Sequence, residues 1–145
     1  MTRVILDANI YISALLKPDG GQAGLVQRGF QGLFEIVISE SIFLEICRVL
    51  EYPRIAGRIP LKKNQVKKFL ENLTVTASWT ADEVRVRACE DPDDDMYLSC
   101  AQESQASFLV SCDQHLLRMR KFGETVILDS KEFSEFLLKS QAMKD

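Results

Sequence analysis

At 145 residues, with 46% hydrophobic and 27% charged side chains, the chain has the size and composition of one globular domain, spanning residues 1–145. No apolar run approaches the length of a bilayer span, so a membrane protein is not expected. Asp7 follows the first apolar residues too early for a signal peptide, which predicts a cytoplasmic protein. The net charge of −3 argues weakly against a nucleic-acid ligand.

The four cysteines are widely spaced and form no Cys-x-x-Cys pair, and His115 is the single histidine. A zinc site and a disulfide framework are therefore not expected, and the cysteines are predicted to be small core residues. One histidine also excludes any chemistry that needs two. We interpret His115 as a solvated helix residue, with a lone general base as the alternative.

The apolar pattern predicts alternating strands and helices along the chain. Strands are predicted at 4–6, 35–39, 108–110 and 126–128, with a further one at 74–79, and helices at 8–16, 22–30, 40–50, 62–72, 93–105, 114–121 and 131–139, the last capped by Ser130. Short, continuously apolar strands between helices imply βαβ units. We therefore predict an α/β fold with a mostly parallel sheet covered on both faces.

Acidic residues recur where these elements end or begin. Asp7 and Asp113 follow two predicted strands, the run 90–95 opens a helix, and Glu45 borders the apolar stripe of helix 40–50. Because parallel strands end at one edge of a sheet, the strand-end carboxylates are expected to converge there. Converging carboxylates repel one another unless a hard cation lies between them. The pattern predicts a Mg²⁺ or Mn²⁺ site.

Each acid also has a structural interpretation. Asp7 and Asp113 are good helix N-caps, and Glu45 is spaced to pair with Arg48. Asp91 is a suitable cap before Pro92 at the first helical position. Five acids among residues 90–95 nevertheless exceed what one cap and one helix dipole require, which favours a functional role for at least one.

A basic stretch balances these acids locally. Between Arg48 and Lys68 there are seven basic residues and one acidic residue, Glu51. An acidic pocket beside a basic stretch suits a polyanionic substrate, whereas the alternative is a solvated charged helix. The candidates for tracking a nucleic-acid backbone are Arg54, Arg58, Lys62 and Lys63.

Four segments, in this order and with these intervals, resemble the motifs of PIN-domain nucleases, in particular the PIN-family toxins of bacterial and archaeal toxin–antitoxin systems. They are Val4-Ile5-Leu6-Asp7-Ala8-Asn9, Glu45-Ile46-Cys47-Arg48-Val49-Leu50, Asp91-Pro92-Asp93-Asp94-Asp95-Met96-Tyr97-Leu98 and Leu109-Val110-Ser111-Cys112-Asp113. The resemblance covers nearly the whole chain. The spacing to Ala101 favours Asp94 over Asp95 as the third acid. Cys112 stands where the family often has glycine or another small residue.

The resemblance implies a PIN-like three-layer α/β/α sandwich and a Mg²⁺- or Mn²⁺-dependent endoribonuclease, a toxin restrained by an antitoxin protein and often homodimeric. Its catalytic residues would be Asp7, Glu45, Asp94 and Asp113. Asp7, Asp94 and Asp113 would bind the metal directly or through water, and Glu45 would be a ligand or orient the attacking water. Supporting positions are Asn9 and Ser111, which would hold these carboxylates or a phosphate, together with Asp91 and Asp95.

The same residues also bear on other functions. A non-catalytic RNA-binding or regulatory module would keep the fold while its acids act as caps. A DNA nuclease shares the four acids, although 145 residues leave little room for elements that grip branched DNA. A phosphotransfer receiver and a haloacid-dehalogenase-type phosphatase are disfavoured, the latter because Asn9 stands where a second aspartate is needed.

Overall fold

The structure is a computed structural model that describes residues 1–144, with the side chains of 1–143. Asp145, the last residue of the predicted domain 1–145, lies outside the described residues. No helix in residues 1–144 has both the length and the apolar character needed to cross a membrane.

The described chain forms a six-stranded sheet in the order β3-β2-β1-β4-β6-β5. The strands are β1 (Arg3–Leu6), β2 (Glu35–Ile38), β3 (Ser78–Trp79), β4 (Phe108–Val110), β5 (Lys121–Phe122) and β6 (Thr125–Leu128). All neighbouring strands pair in parallel except β5 and β6, which are antiparallel. Successive residues of β1 are buried although they point to opposite faces, as expected for a sheet covered by helices on both sides.

Helices connect and cover these strands. They are α1 (Ala8–Leu16), α2 (Gly21–Phe30), α3 (Glu40–Leu50), α4 (Pro53–Ala56), α5 (Lys63–Thr76), α6 (Asp95–Ser104), α7 (Gln114–Met119) and α8 (Ser130–Lys144), and a 3-10 turn at Pro92–Asp94 precedes α6. Helix α2 packs tightly on β2 because Gly29 has no side chain. A Cβ atom at Gly29 would lie 2.6 Å from Cδ1 of the buried Ile36.

The predicted α/β fold with a mostly parallel central sheet is confirmed, and the helices 8–16 and 40–50 begin and end as predicted. Residues 74–76 are instead the last turn of α5, which leaves two residues for β3. Helix α7 ends earlier than predicted because Arg120 adopts a positive φ of 62°, after which β5 begins. This antiparallel edge strand was not predicted.

Two smaller expectations were also wrong. Asp129, rather than Ser130, caps α8: its carboxylate accepts a hydrogen bond from the backbone N–H of Glu132, and the carboxylate of Glu132 accepts one from the backbone N–H of Asp129. The prediction that every cysteine is a core residue holds for Cys100, which is buried, but Cys112 is exposed.

Candidate metal and active site

Asp7 occupies the carboxyl edge of the sheet at its centre. Leu6 of β1 pairs with Val110 of β4, and the backbone N–H of Asp7 donates to the carbonyl of Val110 at 2.9 Å. This register brings Asp7 next to Ser111, although 104 positions separate them in sequence. The Asp7 side chain is 2% exposed. As predicted, two parallel strands therefore deliver their terminal polar residues to one place.

Three donors hold the Asp7 carboxylate. Ser111 Oγ donates to Oδ2 at 2.6 Å, and the Tyr97 hydroxyl and the Asn9 backbone N–H donate to Oδ1 at 3.1 and 3.0 Å. Burial raises the pKa of Asp7, while the bonds from Ser111, Asn9 and Tyr97 oppose that rise. Both oxygens thus keep a fixed orientation inside the protein.

Tyr97 is a site residue that was not predicted from the sequence. Its hydroxyl accepts a hydrogen bond from the backbone N–H of Ala8 at 3.0 Å while it donates to Asp7. Burial raises the pKa of Tyr97, and the charges of Asp7 and, more weakly, Glu45 add to this increase. The tyrosine therefore remains a neutral donor. Its spacing of three residues from Asp94 on a helical segment is the signal that could have identified it.

Asp94 ends the 3-10 turn and is 8% exposed. Its Oδ2 atom is buried without a hydrogen-bond partner in the described structure. Burial, followed by the charge of Asp113, raises the pKa of Asp94 to about 7. A buried carboxylate oxygen without a donor is costly in a folded protein, and such groups concentrate at functional sites.

Asp113 follows β4 and caps α7. Its Oδ1 accepts from the backbone N–H of His115 at 2.8 Å, and its own N–H donates to Ser111 Oγ at 3.0 Å. Ser111 is therefore a bridge that donates to Asp7 and accepts from the backbone of Asp113. The cap interpretation of Asp113 and its proximity to the other acids are both correct.

These contacts show how far the residues fit a metal ion. The charge of Asp113 raises the pKa values of Asp7 and Asp94, after burial in both cases, so the three carboxylates lie in one electrostatic neighbourhood. Residues 1–144 nevertheless contain no group of three His, Cys, Asp or Glu side chains gathered closely enough to hold an ion alone. The all-oxygen donors and the unpartnered Asp94 Oδ2 fit Mg²⁺ or Mn²⁺, which retain several waters, better than Zn²⁺.

Glu45 does not join this group through a direct contact. Its Oε1 and Oε2 atoms lie 2.6 and 2.7 Å from Nη2 of Arg48, whose guanidinium also lies 5.6 Å from the ring centre of Tyr52. The pairing with Arg48 was the structural alternative considered for this residue. Glu45 still lies on the side of α3 toward the acids, since its charge acts on Tyr97.

Three of the other acids of the run 90–95 have structural partners, and the fourth, Asp93, is exposed and contributes only its backbone N–H, to Asp91. Asp95 Oδ1 accepts from the backbone N–H groups of Ala88 and Cys89 at 3.0 and 2.7 Å. Asp91 caps the 3-10 turn, and Glu90 contacts His115 and Arg118. Among the described acids of this run, Asp94 is therefore the one with a buried carboxylate oxygen that lacks a partner.

The remaining predicted positions lie at the periphery. Asn9 is exposed and contributes its backbone N–H, rather than its amide, to Asp7. The predicted nucleic-acid-binding residues lie on α4, in the following loop and at the start of α5, and all are exposed: Arg54, Arg58, Lys62 and Lys63. Within residues 1–144, none of them is hydrogen-bonded or ion-paired to an acid of the site.

Known proteins resemble this chain in sequence and in fold. An uncharacterized protein of Methanocaldococcus jannaschii, MJ1680, is 25% identical over 118 residues, which cover 81% of this chain and 75% of that protein. The crystal structure of PAE2754 from Pyrobaculum aerophilum has a TM-score of 0.62 at 15% identity and covers 95% of this chain and 90% of its own. The crystal structure of VapBC2 from Rickettsia felis, bound to a DNA fragment from their promoter, has a TM-score of 0.55 at 15% identity. The match covers 87% of this chain and 97% of that chain.

The sequence pattern of one family spans most of the chain. The family described as PIN domain matches residues 3–115, a range that contains Asp7, Glu45, Asp94 and Asp113. The mostly parallel sheet and the acids at its carboxyl edge agree with this match. The chain belongs to the PIN-domain family.

Proposed function

We propose that the protein is a divalent-metal-dependent endoribonuclease that hydrolyses phosphodiester bonds of RNA and acts as the toxin of a toxin–antitoxin pair. The observation that carries this proposal is the buried, unpartnered Oδ2 of Asp94 beside Asp7 and Asp113. Nuclease activity is the general property of PIN domains. The fold likeness to VapBC2 supports an antitoxin as the protein partner.

Asp7, Asp94 and Asp113 would hold a Mg²⁺ or Mn²⁺ ion, directly or through water. When bound, such an ion supplies Lewis-acid stabilisation of the charge that develops on the phosphate. Tyr97 and Ser111 fix the orientation of Asp7, and Ser111 also fixes the backbone of Asp113. The side chains of the site are therefore organised before substrate arrives, which limits reorganisation during the reaction.

Glu45 would act as a further ligand or orient the attacking water. Both roles require its carboxylate to leave Arg48. The Arg48 side chain is 59% exposed, and ion pairs between solvent-exposed side chains contribute little to stability because water and salt screen them. The pair is therefore weak enough to exchange when substrate or metal offers a competing contact. Arg48 released in this way would be available to the substrate phosphate.

The test is cleavage of labelled single-stranded and structured RNAs, with DNA of the same sequences alongside, in Mg²⁺, Mn²⁺ or EDTA. Wild type is compared with Asp7→Asn and Asp94→Asn, and Asp19→Asn serves as the control because Asp19 is exposed on a loop away from the sheet edge. We expect metal-dependent RNA cleavage by wild type and the control, and its loss in both site variants.

Other results would select another function. Equal cleavage by all variants would indicate a contaminating nuclease. Preferential cleavage of DNA would favour the DNA-nuclease alternative. Absence of cleavage, together with no Mg²⁺ or Mn²⁺ binding by calorimetry, would favour the non-catalytic RNA-binding module.

The toxin role and the oligomeric state need separate measurements. Expression of wild type, but not of Asp94→Asn, is expected to arrest growth of a bacterial host. A homodimer is part of the proposal, and exposed apolar side chains such as Leu44 and Trp79, 56% and 43% exposed, support it. Light scattering after size-exclusion chromatography gives the oligomeric state directly.

A further inference from the structure

Residues 82–89 form an irregular segment that the side chains of one helix hold in place. Glu103 accepts hydrogen bonds from the backbone N–H groups of Asp82, Glu83 and Val84, at 2.8 to 3.1 Å. Ser99 Oγ accepts from Val86 N–H at 2.9 Å, and Asp95 Oδ1 accepts from the N–H groups of Ala88 and Cys89. Three side chains of α6 thus satisfy six backbone donors of the segment.

The spacing of these three residues explains how the 82–89 segment can run alongside the helix. Asp95, Ser99 and Glu103 are four residues apart and lie on one face of α6. Asp95 and Glu103 are eight helical residues apart, a rise of about 12 Å. The nearest backbone groups that they hold, those of Val84 and Ala88, are four residues apart, which is about 13 Å of extended chain. Side chains on this helix face therefore accept the backbone hydrogen bonds that a neighbouring strand would otherwise accept. These bonds fix the position of the segment.

A groove with a volume of about 600 Å³ lies between this segment and the starts of α3 and α6. Its wall residues include Ser41, Arg85, Arg87, Cys89, Pro92 and Met96. Pro92 is the first residue of the turn that carries Asp94, and Asp95, also at the wall, directly follows that turn. The groove therefore adjoins the acidic site from the side of the 82–89 segment.

Among the described charged side chains at the groove wall, the one without a partner is an arginine. The acids at its wall are occupied, because Asp82 accepts from the backbone and hydroxyl of Ser41 and pairs with Arg85, while Asp95 accepts from backbone N–H groups. In the described residues Arg87 has neither a hydrogen-bond nor an ion-pair partner, and it is exposed. A guanidinium that is free in this way presents a planar fork that matches phosphate oxygens.

We propose that this groove binds a phosphate of the nucleic-acid strand next to the one held at the acids, with Arg87 as the contacting residue. This inference rests on the proposed function and names the path of its substrate. The strand would leave the acids past Pro92 and run along the 82–89 segment. Arg87 is then a positioning residue that binds substrate without touching the reacting atoms. The exposed Arg58, in the basic stretch chosen from sequence, does not line the groove.

The test compares wild type with Arg87→Ala, Arg87→Lys and Arg58→Ala, and with Lys139→Ala as a control that removes one exposed charge from α8. Binding of a fluorescein-labelled 12-nucleotide mixed-sequence RNA is measured by anisotropy in EDTA over a range of salt concentrations. Cleavage of the same RNA is measured in Mg²⁺. Melting temperatures check folding, and Arg87→Ala is expected to melt as wild type because Arg87 has no partner to lose.

We expect Arg87→Ala to weaken RNA binding several-fold and to reduce the slope of log K against log salt by about 0.7, the effect of one lost phosphate contact on a single strand. KM should rise while kcat is nearly unchanged. Arg87→Lys should recover part of the affinity because it keeps the charge without the planar fork. Lys139→Ala should bind as wild type.

The groove and the nuclease activity can fail independently. Cleavage that is intact in Arg87→Ala, with the affinity and salt slope of the control, would overturn the groove and leave the proposed function standing. RNA binding that depends on Arg87 without metal-dependent cleavage would keep the phosphate site and overturn the nuclease. A loss of affinity in Arg58→Ala, but not in Arg87→Ala, would move the strand to the basic stretch and refute the groove.

Discussion

Replacement of Asp94 by Asn is expected to stabilise the metal-free protein. Asp94 is buried, its Oδ2 lacks a partner in the described structure, and the charge of Asp113 opposes its ionisation. Asparagine has nearly the same shape and carries no charge, so it removes both the desolvation cost and the repulsion. Stability gained by removing a functional charge is the known trade-off of active sites.

The size of this stability gain and its pH dependence follow from the pKa of Asp94. Folding raises this pKa from its ordinary value of 3.8 to about 7, and that difference corresponds to at most about 4 kcal/mol. Because rearrangement of the surrounding groups can relieve part of this cost, we expect a gain of about 1–3 kcal/mol at pH 8. A raised carboxyl pKa destabilises the fold above the folded value, and the cost disappears as the pH falls from about 7 to about 4. The advantage of Asp94→Asn should therefore shrink over that window.

The assay is urea unfolding in EDTA at pH 5, 6.5 and 8, with Asp95→Asn as the matched control. Asp95 undergoes the same chemical change one position further, but its Oδ1 atom accepts two backbone hydrogen bonds, whereas Oδ2 of Asp94 has no partner in the described structure. We expect no gain in the control at any pH. Added Mg²⁺ should raise the unfolding midpoint of wild type and not that of Asp94→Asn. An Asp94→Asn protein no more stable than wild type at pH 8 would refute the reasoning.

Three further changes test the supports of the site and fold by urea unfolding. Asp95→Ala removes the acceptor of two backbone N–H groups and should cost about 1–3 kcal/mol; an unchanged midpoint would contradict that anchor. Tyr97→Phe removes the hydroxyl that bonds the Ala8 N–H and Asp7, which should lower the free energy of unfolding by about 1–3 kcal/mol and reduce RNA cleavage. Full cleavage by this variant would exclude an orienting role for Tyr97. Gly29→Ala places a methyl group against buried Ile36 and should cost about 1–3 kcal/mol with cleavage by the folded fraction unchanged.

The sequence by itself determined the elements whose causes are local. The apolar run before Asp7 predicts a central strand, and helix 40–50 follows from its apolar stripe and ends before Pro53. The carboxylates at the ends of two such strands, Asp7 and Asp113, could be placed at one sheet edge because parallel strands share a direction. Family membership was also readable from the order and spacing of these motifs.

The tertiary structure alone decided which partner each site residue has. Tyr97 reaches Asp7 across 90 sequence positions, and Glu45 turns to Arg48 rather than to the acids. Asp94 and Asp95 are adjacent in sequence, yet one is buried without a partner for Oδ2 and the other anchors the 82–89 segment. That segment alternates apolar and charged residues from Val84 to Arg87, as a strand would, yet side chains of α6, rather than a neighbouring strand, satisfy its backbone. Local patterns do not encode such contacts, because they arise only when distant elements pack together.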